Sequence, residues 1–303
     1  MFNRIVSSLI PLFPKKFIWT FSKRYIAGES IEDALRVSHK LNEEGMMVTL
    51  DVLGEFIKDL DEAERNKQEY LQVIDRLTEE KIDGNFSVKP SSFGLLIDEE
   101  ACYRHIREIV SKAAGYNNFV RIDMEDSKCV DREIRLFRRL HEEFPRNVGL
   151  VLQAYLRRTL DDLKALTPLH TPETPLNFRL CKGIYVEPAR IAYKDHDEIN
   201  QHYLEDLEYI FSHGFYVGIA THDQFLIDNA YRLIEKYGLK KDEYEFQMLY
   251  GVTPERRASI LRKGHRMRVY VPFGKDWFGY STRRLKENPQ ITSYIIKALF
   301  NRK

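Results

Sequence analysis

Net charge of either sign is almost missing from this chain: 47 Lys and Arg residues face 46 Asp and Glu, for a formal charge of +1. So balanced a chain carries no global field for nucleic acid or an acidic partner, and nucleic-acid binding is not expected. Cysteine is scarce too. Cys102, Cys129 and Cys181 are far apart and odd in number, which argues against a disulfide framework or a Cys-based zinc site and suits a reducing cytoplasm. The nine histidines form no HExxH pair, and no metal site is expected. Neither a Gly-x-Gly-x-x-Gly turn nor a Walker-type loop occurs, so a Rossmann dinucleotide site is not expected either.

Long hydrophobic runs are also absent. The opening stretch MFNRIVSSLIPLFPKKFIWTFSKRYIAG mixes short apolar runs with Arg4, Lys15, Lys16, Lys23 and Arg24, well short of a membrane span. No small-residue cleavage site follows its apolar part, which argues against a secretory signal. Two readings stay open: an amphipathic element touching lipid at the inner face of the membrane, or a helix packed on the main body. The packed helix is the expectation.

What the chain does have is a repeated unit. From residue 46 a short β-branched or aromatic run is followed by a polar junction and then a stretch with helical spacing. The runs are MMVTLDVL (46–53), FSVKPSS (86–92), FVRIDME (119–125), VGLVLQAYL (148–156), NFRLCKGIY (177–185), FYVGIATHD (215–223), YEFQMLYG (244–251) and RMRVYVPFG (266–274). They look nearly continuous in their apolarity, as strands buried on both faces do. Helical spacing follows at 99–114, 127–144, 197–213 and 224–238, with Asp98 as a cap for one helix and Thr253 before Pro254 as a cap for another. Eight βα units in 303 residues predict a closed (β/α)8 TIM-like barrel. No Pro/Gly/Ser-rich linker interrupts it, so residues 46–303 are expected to form one barrel domain, with 1–45 as an N-terminal helical extension.

Barrel enzymes work at the C-terminal ends of their strands. There the sequence places Asp51, Lys89, Asp123, Gln153, Arg179, Lys182, Tyr185, Thr221, His222, Gln247 and Tyr270, groups that a packed core avoids. Strand parity puts Arg179 and Tyr185 on one side and Lys182 on the other, unless the backbone bends at Gly183. Beyond the last strand, Tyr280, Arg283, Arg284 and Glu287 fall three or four residues apart and share one side of a helix. Two neighbouring guanidiniums suit a carboxylate, since each offers paired donors in one plane. From these residues alone, a Schiff-base aldolase using Lys89 or Lys182 stays open, as does a ligand-binding scaffold.

The motifs FSVKPSS, RIDMED, LQAYLRRT, RLCKGIY, ATHD, FQMLYG and VYVPFGKDWFGYSTRRLKENP, in that order over residues 46–290, resemble those of the proline dehydrogenase family. They correspond to the short monofunctional enzymes and to the barrel half of bifunctional proline-utilisation flavoproteins. The resemblance implies a distorted barrel with noncovalent FAD that oxidises L-proline to Δ1-pyrroline-5-carboxylate and passes the electrons to a membrane quinone. A separate pyrroline-5-carboxylate dehydrogenase would take the product, and peripheral membrane contact would follow from the quinone.

Carried over motif by motif, Lys89, Arg283 and Arg284 would bind the substrate carboxylate, with Leu249, Tyr270 and Tyr280 closing around the ring. Asp123 would position the cationic cluster and Arg179 would stand by the flavin N5. Met124, Gln153, Lys182, Gly183, Ile184, Thr221 and His222 would line FAD, with Tyr185 and Glu287 in support. Some relatives carry an aromatic residue where this chain has Val186. Retention of Tyr270 implies a preference for proline over hydroxyproline.

Overall fold

A computed structural model of the protein describes residues 15–281. All eight expected strands form, as β1 (Met47–Val52), β2 (Gly84–Val88), β3 (Val120–Ile122), β4 (Val148–Gln153), β5 (Asn177–Cys181), β6 (Tyr216–Ala220), β7 (Tyr244–Leu249) and β8 (Met267–Phe273). Each pairs in parallel with its sequence neighbour, and β8 pairs with β1 to close the barrel. Strand β2 starts two residues before the expected run, because the poor strand formers Gly84 and Asn85 pair with Val48 and Thr49 of β1.

The helices are α1 (Lys15–Ser22), α2 (Ile31–Glu43), α3 (Leu60–Glu79), α4 (Glu99–Gly115), α5 (Val130–Glu143), α6 (Thr159–Leu166), α7 (His196–Ser212), α8 (Gln224–Tyr237) and α9 (Pro254–Arg262). Several carry the caps their sequence offers. Ser30 and Asp33 form a reciprocal capping box on α2, and Asp98 accepts from the backbone of Glu100 and Ala101 at the head of α4. Thr253 is a correction to the expected cap. It sits in the left-handed region at φ +41°, makes no side-chain cap bond, and turns its hydroxyl toward Met248 Sδ instead.

The barrel departs from the expected continuous apolarity in its strands. Positions that face the helices are apolar and buried, as in Val48, Leu50, Phe86, Val88, Val120, Ile122, Phe178, Leu180, Val269 and Val271. The alternate positions, in register around the barrel, include Thr49, Asp51, Ser87, Arg121, Arg179, Glu245, Gln247, Arg268 and Tyr270. Both faces are buried, but the lumen is polar and hydrogen-bonded where most such barrels hold branched aliphatic layers. Inward glycines make the room: a Cβ at Gly149 would collide with Arg121, and one at Gly218 with Gln247.

The chain before β1 does two different things. Helix α2 packs on the outer face of β1 and β8. Residues of and after α1 lie instead at the strand C-terminal ends, where Ala27 N–H donates to Pro272 O and Gly274 N–H to Gly28 O. There Ile18, Tyr25 and Ile26 form a second hydrophobic cluster with Leu53, Trp277 and Tyr280. Trp19 packs on Trp277 with ring centroids 4.6 Å apart, and Trp277 Nε1 donates to Glu29. Among the described residues the packed reading of this segment therefore holds, and no helix is long and apolar enough to cross a membrane.

Candidate active site

The mouth of the barrel holds a cavity of about 540 Å³. Its walls include Lys89, Asp123, Met124, Gln153, Arg179, Lys182, Gly183, Ile184, Tyr185, Thr221, His222, Leu249, Tyr270 and Tyr280. These are the sequence-derived candidates from β2 to β8 and the turn beyond it, gathered from segments up to 191 residues apart (Lys89 to Tyr280). Arg283, Arg284 and Glu287 lie outside the described residues.

One continuous hydrogen-bonded chain runs from the cavity floor down through the lumen. Lys89 Nζ donates to Asp51 Oδ1 at 2.5 Å and to the Tyr270 hydroxyl at 3.1 Å. The Tyr270 hydroxyl donates to Asp123 Oδ2 at 2.9 Å, and Asp123 Oδ1 accepts from Arg179 Nη1 at 2.8 Å. Arg179 is held at all three nitrogens, since Nη2 donates to Ser87 Oγ at 2.9 Å and Nε to Gln247 Oε1 at 2.5 Å. Gln247 in turn donates to Glu245, which takes a two-pronged donation from Arg268 at 2.7 and 3.0 Å.

The protonation states follow from this arrangement. Burial opposes the Lys89 charge, but Asp51, Asp123 and Glu55 outweigh it and hold the ammonium above its ordinary pKa. Burial also lifts Asp51, to about 6 even against Lys89. Tyr270 is pushed well up by burial and by Asp123 and Asp51, so its hydroxyl stays a neutral donor. Leu249 N–H donates to His222 Nε2 at 3.0 Å, so that nitrogen serves as an acceptor. Arg256 secures the same residue through the His222 carbonyl.

At the other wall, β5 ends at Cys181 and the backbone turns at Gly183 with φ +107°. Parity stops there, so Lys182 and Tyr185 both reach the cavity. The flat group that presses against Gly183 in this structure is the ring of Tyr155, into which a Cβ would collide. Lys182 Nζ donates to Asp223, the cap of α8, at 2.6 Å. Gln153 is almost fully buried and donates to Glu125 O, while its Oε1 has no partner among the described residues. Val186 is 99% exposed and takes no part in the wall.

Sequence reading overlooked the second layer. Ser87, Glu245 and Arg268 each stand two residues before a selected position, and that i, i+2 spacing is the signal that could have found them. Glu125, Cys129 and Glu133 also bring three ligand-type atoms within 4.8 Å of one another. Their carboxylates already accept from Ser91 and from the Glu125 N–H, and burial holds both acids toward the neutral form, Glu125 at about 7 and Glu133 well above its usual range. That is a poor set for a cation.

Comparison with known proteins bears on what such a site handles. The family profile described as proline dehydrogenase matches residues 34–296. Proline dehydrogenase 1 of Bacillus subtilis subsp. natto is 35% identical over 281 residues, 93% of this chain and 91% of that one. Proline dehydrogenase of Deinococcus radiodurans is 36% identical over 289 residues, with the same two shares. The crystal structure of proline utilization A from Bdellovibrio bacteriovorus, inactivated by N-propargylglycine, superposes with a TM-score of 0.84 at 26% identity over 94% of this chain. This chain spans about a third of that longer one, 34%.

Proposed function

The chain belongs to the proline dehydrogenase family of oxidoreductases, and from that premise we propose that its cavity binds FAD noncovalently and L-proline beside it. The product would be Δ1-pyrroline-5-carboxylate, and a membrane quinone would take the electrons. The single observation that carries this reading is the Lys89–Tyr270–Asp123–Arg179 constellation at the cavity floor, cationic at both ends and rigidly linked.

The residues present fit the cofactor on chemical grounds. Gln153 Oε1 is a buried acceptor in the cavity wall that finds no donor among the described residues, and the N–H of the flavin's uracil-like edge is a donor of that kind. Gly183, Ile184, Thr221, His222, Met124 and Lys182 would complete the cradle, with Tyr185 in support. When bound, FAD would supply at N5 the acceptor for the hydride that leaves proline C5.

The protein's own contribution is position and charge. Lys89, with Arg283 and Arg284, would grip the proline carboxylate, while Leu249, Tyr270 and Tyr280 would hold the ring. Glu287 would brace the two arginines. Asp123 positions Arg179 and Tyr270 at once, so both act from fixed places without reorganising. His222 Nε2 already accepts from Leu249 N–H, so the amine proton would pass to solvent.

A Schiff-base aldolase finds less support. It needs a lysine that is neutral near pH 7, and Asp51 at 2.5 Å holds Lys89 in the opposite state. Downstream, a separate pyrroline-5-carboxylate dehydrogenase would consume the product, and peripheral contact with a membrane would bring the quinone within reach.

The test is to incubate the FAD-loaded protein with L-proline and a soluble quinone and to identify the product by mass spectrometry. A product lighter than proline by two hydrogens is expected. Proline recovered unchanged from FAD-loaded protein would overturn the reading.

A further inference from the structure

Charge in the barrel lumen does not cancel. Arg268 faces Glu245, Arg179 faces Asp123 and Lys89 faces Asp51, each pair within 2.8 Å. Arg121 is the exception. It is 2% exposed, and among the described residues no carboxylate forms an ion pair with it. Its Nη1 and Nη2 donate to the backbone carbonyl and side-chain Oδ1 of Asn177 at 2.7 and 2.6 Å, and its Nε has no partner among the described residues. The guanidinium carbon lies 4.8 Å from the centre of the Phe119 ring. Gly149 is opened to admit it, since any Cβ there would collide with Nη1.

Burying a charge without a counter-charge is costly, and a neutral side chain would plug the same space more cheaply. Burial, and after it the neighbouring Arg179 guanidinium, outweigh the attraction of Glu245, which is itself paired with Arg268, and pull Arg121 down to about 9, so it is still cationic at neutral pH. Arg121 stands two residues before Asp123 on β3, about 7 Å below it by strand rise. Ser87, which pairs with Arg121 across the sheet, accepts from Arg179. The uncompensated charge therefore sits one layer beneath the site, insulated from solvent that would screen it.

We propose that Arg121 is a remote electrostatic residue of this enzyme: its unpaired charge gives the lumen a positive surplus that favours the substrate carboxylate and electron uptake by bound FAD. The proposal rests on the flavin-dependent reading above. It assigns Arg121 no contact with substrate or cofactor. The effect travels through the low-dielectric interior and not through a displaced side chain.

Asn177→Asp provides the sharpest test, because it sets a carboxylate on the guanidinium without cutting either hydrogen bond. Arg121→Gln removes the charge outright, and Arg121→Lys keeps it while losing the two-pronged grip on Asn177. The FAD-loaded full chain would be examined for the flavin midpoint potential by dye titration. It would also be tested for binding of cyclopentanecarboxylate against its uncharged counterpart, cyclopentanecarboxamide.

Asn177→Asp and Arg121→Gln should each weaken carboxylate binding about tenfold, as expected for one unit charge at this range. They should lower the potential by a similar factor in the redox equilibrium, about 30 mV for a two-electron couple. Carboxamide binding should not change, and Arg121→Lys should resemble wild type. A wild-type potential and carboxylate affinity in Asn177→Asp would overturn the proposal, as would an Arg121→Lys that behaves like Arg121→Gln, the mark of a structural plug. Wild-type protein that takes up no flavin would overturn the underlying reading as well, and that outcome is visible before any variant is made.

Discussion

Lys89 and Asp51 meet at 2.5 Å in the interior, with Asp51 fully buried and Lys89 nearly so. They come from neighbouring strands, Asp51 from β1 and Lys89 from just past β2, whose register sets Asp51 opposite Ser87. The pair anchors one end of the network that reaches Arg179. Removing one partner of a buried pair leaves the other charge uncompensated, which is where such pairs exert their largest effect.

Asp51→Asn should accordingly lower unfolding stability by about 3 kcal/mol at pH 7. Adding Lys89→Met to it should recover part of that loss, because the ammonium that lost its nearest carboxylate is gone. Urea denaturation of the two single variants and the double variant checks this. Strictly additive losses would mean that the two side chains are not coupled.

The Glu245–Arg268 pair predicts a pH signature. Burial would raise the Glu245 carboxyl, but Arg268 overrides it and holds the group down at about 2, against an ordinary value of 4.5. A lowered folded pKa means that the unfolded chain binds the proton more readily, so this contribution is complete above about pH 4.5 and fades toward pH 2. Glu245→Gln should cost about 3 kcal/mol at pH 7, and the gap from wild type should close as pH falls through that window. A gap that is constant from pH 5 to pH 2.5 would contradict the assignment.

The N-terminal segment offers a third test. Trp19 packs on Trp277 at the start of the helical turn that carries Tyr280, a wall of the cavity. Trp19→Ala should loosen that turn and raise the KM for proline severalfold, while flavin content and kcat stay near wild type. If KM is unchanged in folded protein, the segment does not brace the site.

Much of this was legible in the sequence. The eight strands show as apolar runs because their helix-facing residues, such as Val48, Val88, Ile122 and Val269, are large and β-branched. The cavity's location follows from barrel geometry, and the motif series picks out residues that line it. The polar lumen was less visible. Thr49, Ser87, Arg121 and Arg268 sit singly between apolar neighbours, and a run reading absorbs them where an alternation reading would not.

The pairings were out of reach for a different reason. Lys89 and Tyr270 are 181 residues apart, and only closure of β8 on β1 brings them together. Nor could local pattern say that residues 15–29 lie at the strand C-terminal ends, because amphipathic spacing marks an apolar side without naming what covers it. Thr253 failed as a cap because its backbone, just before Pro254, takes the left-handed region and its side chain makes no cap bond.

The central claim, a flavin site that takes electrons from L-proline, is tested most directly by the visible absorption spectrum of the purified full-length protein, recorded anaerobically before and after L-proline is added. A yellow protein whose flavin band bleaches with L-proline is the predicted result. A flavin band that proline leaves untouched, or a colourless protein that takes up no added FAD, would contradict it.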